Sequence, residues 1–436
     1  MPARPRQSVA QGRGIAMLNA SRHTLGRYIA PRAARHDCVL VYLSNLWELS
    51  DAYGQDFYRA AFEAVQERLS RHGVQRRSVT LAGEYICVDF HDAKPPGRAY
   101  DDLLAEHIKA SLSYEPVVQG RHSVYLEVLV AFADRNATNF DKLVQTRPVA
   151  PDAVASRDPQ DQENRRRAYR EDMSLAGDFL HALGAGRIAL AFQPVVSNHG
   201  AKPVLYYECL LRRLAAAEGG EAVSCADDVG ALERVRMADR LDRSVLWAAV
   251  QILKANKAIH LGCNVSALSM QHDAWWRLLF AELWRNPGLA RRLTLEITET
   301  SAIPHVDEAV NLIHSLHLYG CKIAIDDMGA GYSTLDFVAK SRPDVVKIDQ
   351  SFISGPGGGP RSPGLLGKLV RLCADYSPCV VVEGVETGDD LKAVVSSGAN
   401  AAQGHFLGRP SMMADWLQAP ALVQDAFRPG HPSTSG

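Results

Sequence analysis

Oxygen donors recur through the second half of the chain at one repeated place, the carboxyl end of successive apolar runs. Glu208 closes VLYYE, Asn264 closes HLGCN, and Glu296 lies in LTLEITE with Glu299 three residues on. Asp326 and Asp327 end KIAIDD, Lys347 and Asp349 end VVKID, Glu383 and Glu386 end VVVEGVE, and Gln403 follows the last run. A single carboxylate at a strand end needs no explanation, because strand ends meet solvent. Successive runs that each deliver an acid or an amide do need one, since chance would scatter such groups over both ends. If the runs are barrel strands, these ends converge on one rim, where active sites are built.

Close carboxylates raise one another's pKa and cannot all stay ionised without compensation. Lys347 alone is too little charge for Glu208, Glu296, Asp326, Asp327 and Glu383. Hard divalent cations are the natural complement, and an all-oxygen donor set favours Mg²⁺ or Mn²⁺ over Zn²⁺. One of the adjacent pair Asp326–Asp327 can bridge two metals about 3.5–4 Å apart, the arrangement used for in-line displacement at phosphorus. None of the donors named at these strand ends is a cysteine or a histidine, and His405 stands two residues after Gln403, which argues against a zinc hydrolase. A Schiff-base lysine needs a lowered pKa, whereas acids around Lys347 would raise it. Gly329 and Gly331 in DDMGAGYSTLDF permit backbone conformations closed to other residues, so a mobile loop is expected just past the aspartates. As a phosphate cradle GAG is unconvincing, for it matches neither Walker nor Rossmann spacing.

The elements that must position these groups follow from Ile188 onward. LAFQPVV, VLYYECLL, HLGCNVSA, LTLEITE, KIAIDDM, VVKID, CVVVEGVE and AAQGHFL read as strands, and segments such as Asp239–Ala255 and Val306–Tyr319 between them have helical period. That alternation predicts an α/β fold with a C-terminal TIM-like (β/α)8-type barrel. Only SNHGAK joins the first two runs, too short for a crossover helix, so an antiparallel first strand pair is expected.

A smaller α/β sandwich is expected before it, over residues 36–148. VLVYL (Val39–Leu43) reads as a buried strand, and Asp56–Leu69 carries Phe57, Phe62, Val65 and Leu69 on one helical face. SVTLAGEYICVDF suits a hairpin and Val124–Ala133 a further strand. Residues 149–165 are polar, with Pro151 and Pro159, and read as a linker. A helical period resumes from Arg166 to Leu183 through Met173, Ala176 and Phe179, with Gly184 as its C-cap. The expected organisation is therefore a basic, disordered arm over 1–35 (seven arginines, no acid), the small domain over 36–148, and a linker with the start of a connecting helix over 149–171. The barrel follows over 172–425, and a disordered tail over 426–436.

The 436 residues carry 48 Lys+Arg against 49 Asp+Glu, a net charge of −1 that speaks against a general nucleic-acid surface. Apolar residues make up 47% and charged residues 22%, enough to bury a large core. The longest mainly apolar stretches are about half the ~20 residues of a spanning helix, so no membrane span is expected. Eight cysteines with no CxxC spacing read as reduced, buried thiols of a cytoplasmic protein.

The motif set resembles the EAL-domain cyclic di-GMP phosphodiesterases of bacteria. The name-giving tripeptide stands as Glu208-Cys209-Leu210 with Arg212 in YYECLLRR, and FQPVV, NVSA, LEITET, IDDMGAGYS, VKID, VEGVET and AQGHFLGRP match the family's motifs in order, across residues ~172–420. The resemblance implies that Glu208, Asn264, Glu296 and Asp326 hold one metal, and that Asp326, Asp327 and Glu383 hold the second. It implies that Lys347 holds or polarises the attacking water with Asp349 and Glu386 in support. Glu299 would anchor the loop from Met328 to Phe337. Gln193, Leu210 and Arg212 would grip a guanine-phosphate half of the substrate, with Gln403 near the metals. It further implies hydrolysis of cyclic di-GMP to linear pGpG, and a homodimer. A catalytically silent cyclic di-GMP receptor is the alternative, although such receptors usually lose ligands that this chain keeps. Two departures stand out: Cys209 replaces alanine and should point away from the metals, and Met328 replaces the usual phenylalanine at the head of the loop.

The first domain resembles a degenerate GGDEF domain. The cyclase metal aspartates fall on Tyr42 and Ser44, and the signature pentapeptide on Ala82-Gly83-Glu84-Tyr85-Ile86. Without two acids to hold Mg²⁺ on a triphosphate, no cyclase activity is expected. Retained Asp51 and Gly83 leave GTP as an allosteric ligand, against a packing and dimerisation role.

Overall fold

The computed structural model describes residues 38–71, 79–82, 85–89, 98–133, 158–199, 204–215, 221–298, 303, 305–329, 335–353 and 364–416. The basic arm, the tail, Gly83 and Glu84, residues 149–157 of the linker, Glu299 and the loop residues 330–334 lie outside the described residues.

The N-terminal sheet has strand order β2-β3-β1-β6, with β1 Cys38–Leu43, β2 Val79–Ala82, β3 Tyr85–Asp89 and β6 Val128–Ala133. Its pairs are antiparallel, and Ala82 faces Tyr85 across the expected hairpin. β1 is central, so its unbroken apolar run Val39–Leu43 is buried on both faces. Helices α1 (Leu46–Tyr53), α2 (Gln55–Arg71) and α3 (Arg98–Ser113) belong to the same unit. Phe57, Val65 and Leu69 of α2 are buried, while Phe62 packs half-buried at the edge of that core.

Two expectations are corrected. Val124–Ala133 is not one strand. A hairpin of β4 (Val117–Gln119) and β5 (His122–Val124) ends at Val124, and β6 starts only at Val128. The break is fixed by Asn45, whose amide donates to Tyr125 O at 3.1 Å and whose Oδ1 accepts from Glu127 N at 3.0 Å. The connecting helix α4 spans Pro159–Gly184 and so begins inside the stretch read as linker. Asp158 caps it by accepting from Gln160 N at 2.9 Å, and Pro159 sits in the first turn, where no amide hydrogen is missed. Its exposed first turns carry no apolar face, which is why hydrophobic period alone starts the helix late.

The C-terminal sheet closes on itself. Strands β7 (Ile188–Ser197), β8 (Val204–Arg213), β10 (Leu261–Ser266), β11 (Leu293–Thr298), β12 (Lys322–Met328), β13 (Val345–Ile348), β14 (Val380–Val382) and β15 (Ala401–Ala402) form the eight-stranded barrel. β7 is antiparallel to both β8 and β15, and the other neighbours run parallel. A short β9 (Val223–Ser224), not foreseen, pairs antiparallel with Arg212 and Arg213 at the end of β8. Helices α5 (Ala226–Arg234), α6 (Ala238–Ala255), α7 (Ala274–Arg285), α8 (Val306–Tyr319), α9 (Leu335–Ser341), α10 (Leu365–Ala374) and α11 (Gly388–Ser397) alternate with the strands.

Strand alternation divides the side chains. Val195, Tyr206, Ala324, Val345, Val381 and Ala401 fill the lower interior as one cluster. Cys209 and Cys263 are buried in the outer core with the helices, so Cys209 points away from the acids, as its place in β8 requires. Ion pairs cross from the small domain to α6: Lys109 to Asp239 at 2.8 Å and Glu106 to Arg243 at 2.8 Å.

Candidate active site

Two residues above the apolar interior layer, the same inward positions turn polar. Tyr206 is followed by Glu208, Ala324 by Asp326, Val345 by Lys347, Val381 by Glu383 and Ala401 by Gln403. β7 runs the other way, so Gln193, two residues before Val195, reaches the same level and pairs in register with Glu208. Asn264 and Glu296 complete the ring, side by side on β10 and β11.

Lys347 stands at the centre with its side chain fully buried. Its ammonium lies 2.7 Å from Glu296, 2.7 Å from Glu383, 3.0 Å from Asp326 and 3.3 Å from Glu208. Gln403 donates to Glu208 Oε2 at 2.6 Å, and Asn264 donates to Glu208 Oε1 at 2.7 Å. Gln193 in turn is tied to Gly408 O at 3.0 Å and accepts from Gln403 at 3.3 Å.

Asp327 joins the ring through a backbone distortion. β12 has a register shift between Ile325 and Met328, and Asp327 takes φ 54°, a left-handed conformation that costs a non-glycine residue energy. Ordinary alternation would send Asp327 outward; the shift lets two consecutive aspartates serve one site. Oxygens of Glu208, Glu296 and Asp326 lie within 4.8 Å of one another, as do those of Asp326, Asp327 and Glu383. Asp326 belongs to both groups.

The electrostatics follow from burial. Burial pushes Glu296 up to about 8 despite Lys347, and pushes Asp327 up to about 6 with help from Asp326. Burial and Asp326 drive Glu383 well above the usual carboxylate range. Burial would raise Glu208 as well, but Lys347 and the Gln403 and Asn264 amides hold it below its ordinary value. Burial works against the Lys347 charge, yet Asp326, Glu208, Glu296 and Glu383 together raise its pKa well above normal. A Schiff-base role is thereby ruled against, as expected from the acids around it.

The donor set fits divalent cations. Once all five carboxylates are ionised, they and the one ammonium carry −4, which two divalent ions would balance. Glu296 Oε1 and Asn264 Oδ1 are buried with no hydrogen-bond partner, an arrangement that costs energy unless something else binds them. Gly262 makes room: a Cβ there would overlap Glu296 Oε1 and stand 2.6 Å from the Tyr206 ring. Both Gly262 and Tyr206 escaped the sequence reading, although a glycine within the strand run HLGCN is itself a sign of close approach.

Other expected site residues lie outside these two acid groups, although Asp349 is close enough to help raise Asp327. Asp349 caps the turn Gln350–Phe352, accepting from Ser351 N at 2.9 Å. Glu386 faces solvent with its carboxylate 3.7 Å from His405, and neither belongs to the acid groups. Leu210 and Arg212 follow Glu208 on the same side of β8, past the rim, where Arg212 donates to Leu211 O at 2.8 Å. Met328 is buried and Gly329 has φ 95°, with the Phe352 ring where a side chain would go.

A closed barrel with one reversed strand and an acid–amide–lysine ring at its mouth defines a class of barrel proteins whose donor set could hold metal ions. The chain belongs to the EAL-domain family, whose model matches residues 176–410. It is 26% identical over 405 residues to the bifunctional diguanylate cyclase/cyclic di-GMP phosphodiesterase MucR of Pseudomonas aeruginosa, covering 88% of this chain and 57% of MucR. It is 36% identical over 116 residues to the cyclic di-GMP phosphodiesterase TpdA of Vibrio parahaemolyticus, covering 27% of this chain and 20% of that protein. A solved structure of the MucR phosphodiesterase in complex with c-di-GMP covers 52% of this chain and 97% of its own at 26% identity, with a TM-score of 0.45. The chain spans about half the length of the first curated relatives it matches, 47% and 57%. Among the described residues no helix is long and apolar enough to cross a membrane.

Proposed function

We propose that this chain is a cyclic di-GMP phosphodiesterase that uses two Mg²⁺ or Mn²⁺ ions. The reading rests above all on Asp326, shared by two acid groups around a buried lysine. In it Glu208, Asn264, Glu296 and Asp326 hold one ion, and Asp326, Asp327 and Glu383 hold the other. Bound there, the pair would lower the pKa of a water and neutralise charge on the phosphoryl oxygens.

The chain's own residues do the positioning. Lys347 keeps its proton and so offers a fixed donor to the attacking water, with Asp349 and Glu386 in support. Gln403 and Asn264 fix both oxygens of Glu208. Gln193, Leu210 and Arg212 take one guanine-phosphate half of the substrate, and Glu299 anchors the loop after Met328. Water adds across one phosphodiester: its oxygen bonds to phosphorus, the P–O3′ bond breaks, and a proton passes to the 3′ oxygen, leaving linear pGpG.

The N-terminal domain is read as a regulatory, degenerate GGDEF domain of a cytoplasmic, homodimeric protein. Tyr42 and Ser44 offer no carboxylate for a triphosphate-bound cation. Asp51, one of the residues that kept GTP open, accepts from Arg166 at 2.7 Å.

Purified chain incubated with cyclic di-GMP and Mn²⁺ should release pGpG, read by chromatography, and Glu208→Gln or Asp326→Asn should abolish it with the fold intact. Cyclic di-GMP bound but unhydrolysed by the wild type would favour the receptor alternative. Wild-type turnover in either variant would refute the assignment.

A further inference from the structure

A cavity of about 580 Å³ lies away from the barrel mouth, between α4 and the β4–β5 hairpin. That volume falls within the roughly 300–1,000 Å³ typical of small-molecule sites. One wall is a single face of α4, where Arg167, Arg170, Ser174, Gly177 and His181 follow at helical spacing. Arg121 and His122 come from the hairpin, and Tyr53 and Tyr125 supply aromatic surface.

Three guanidiniums line this space against two acids, Glu171 and Asp178. Arg121 has no hydrogen-bond or ion-pair partner among the described residues. Arg167 has Glu171 only at 3.9 Å, with both side chains largely exposed. Arg170 is held in place, donating to Ala52 O at 3.0 Å and to Glu163 at 2.7 Å.

Gly177 is a separate observation. Glycine inside a helix costs about 1 kcal/mol relative to alanine. Nothing in the backbone calls for it, since its φ is not left-handed and a Cβ would meet only ordinary contacts, Tyr125 Cε2 at 3.7 Å and Ser123 O at 3.9 Å. Its missing side chain keeps the cavity open beside the Tyr125 ring.

We infer that this cavity binds a nucleoside phosphate, with phosphate oxygens on the arginines and the flat base against the tyrosine and guanidinium planes. Such a ligand would bridge the small domain to the helix that leads into β7, and would stabilise their union by mass action. The inference does not depend on hydrolysis at the barrel mouth.

The test is thermal unfolding of the full chain in EDTA with GTP, ATP or inorganic tripolyphosphate, in the wild type, Gly177→Leu and Arg121→Ser. Leucine favours the helix and fills the cavity, so that variant should fold with an unchanged or higher Tm. A saturating nucleotide should raise the wild-type Tm by a few degrees, tripolyphosphate should do less, and both variants should lose most of the nucleotide response. Arg121 is exposed, so its variant keeps the test open even if Gly177→Leu misfolds. No nucleotide response in the wild type, an undiminished response in a folded variant, or a tripolyphosphate response equal to the nucleotides' would overturn the inference.

Discussion

Gly262 lies directly beneath Glu296, so close that a methyl group on the one would occupy the space of a carboxylate oxygen on the other. The same methyl would press on the Tyr206 ring at 2.6 Å. A site usually described by its acids therefore depends on an absent side chain on the neighbouring strand.

Gly262→Ala should thus damage the site without touching a ligand. Overpacking of this kind costs about 1–3 kcal/mol, and Glu296 must move away from Lys347. Urea unfolding should show that loss, and Mn²⁺ affinity by calorimetry should fall at least tenfold. Unchanged affinity would mean that Glu296 has slack the geometry does not show.

Metal affinity should rise with pH. Glu296 titrates at about 8 and Asp327 at about 6 in the metal-free protein, so both are largely protonated at pH 5.5. A cation binds the deprotonated forms and must displace those protons. Mn²⁺ binding should therefore strengthen from pH 5.5 to 8.5, with proton release visible as a buffer-dependent binding enthalpy. A flat profile would contradict the assigned directions.

Asp242 bears on stability instead. It lies on the buried face of α6, accepts from Ser266 N at 3.0 Å and Ser269 Oγ at 2.5 Å, and is pushed by burial up to about 7. Its folded pKa lies above its unfolded one. The associated stability is therefore complete below about pH 4 and is lost as pH rises through about 7, by at most ~4 kcal/mol for a shift of this size. In EDTA, Asp242→Asn should shrink the fall in urea midpoint between pH 5 and pH 8.

Arg243 joins the two domains. It bonds Glu106 at 2.8 Å, contacts Asp273 closely and lies 3.5 Å from Asp239, with little exposure. Arg243→Ala leaves Glu106 and Asp273 without their cation while Asp239 keeps Lys109 at 2.8 Å, a loss of about 3 kcal/mol, the low end for a buried pair because this one is partly exposed. The small domain should then unfold at lower temperature than the barrel, giving two calorimetric transitions in place of one.

The barrel was legible because its strands are short apolar runs that end in donors, and because SNHGAK is too short to allow a parallel second strand. What escaped notice depends on single backbone positions. Asn45 breaks the run from Val124 through contacts some eighty residues distant in sequence, which no local pattern displays. The turn of Asp327 into the site needs a left-handed residue, and aspartate does not advertise one as glycine does. The early start of α4 was written in Asp158-Pro159, a cap followed by a first-turn proline, but polarity there read as linker. Lys347 as the hub of four carboxylates was visible only as one cation among many acids.

Diffraction from crystals soaked in Mn²⁺, recorded at an anomalous wavelength, tests the central claim most directly. Two peaks per chain are predicted, one among Glu208, Asn264, Glu296 and Asp326 and one among Asp326, Asp327 and Glu383. Absence of manganese from both places, with Lys347 still closed on its four acids, would contradict it.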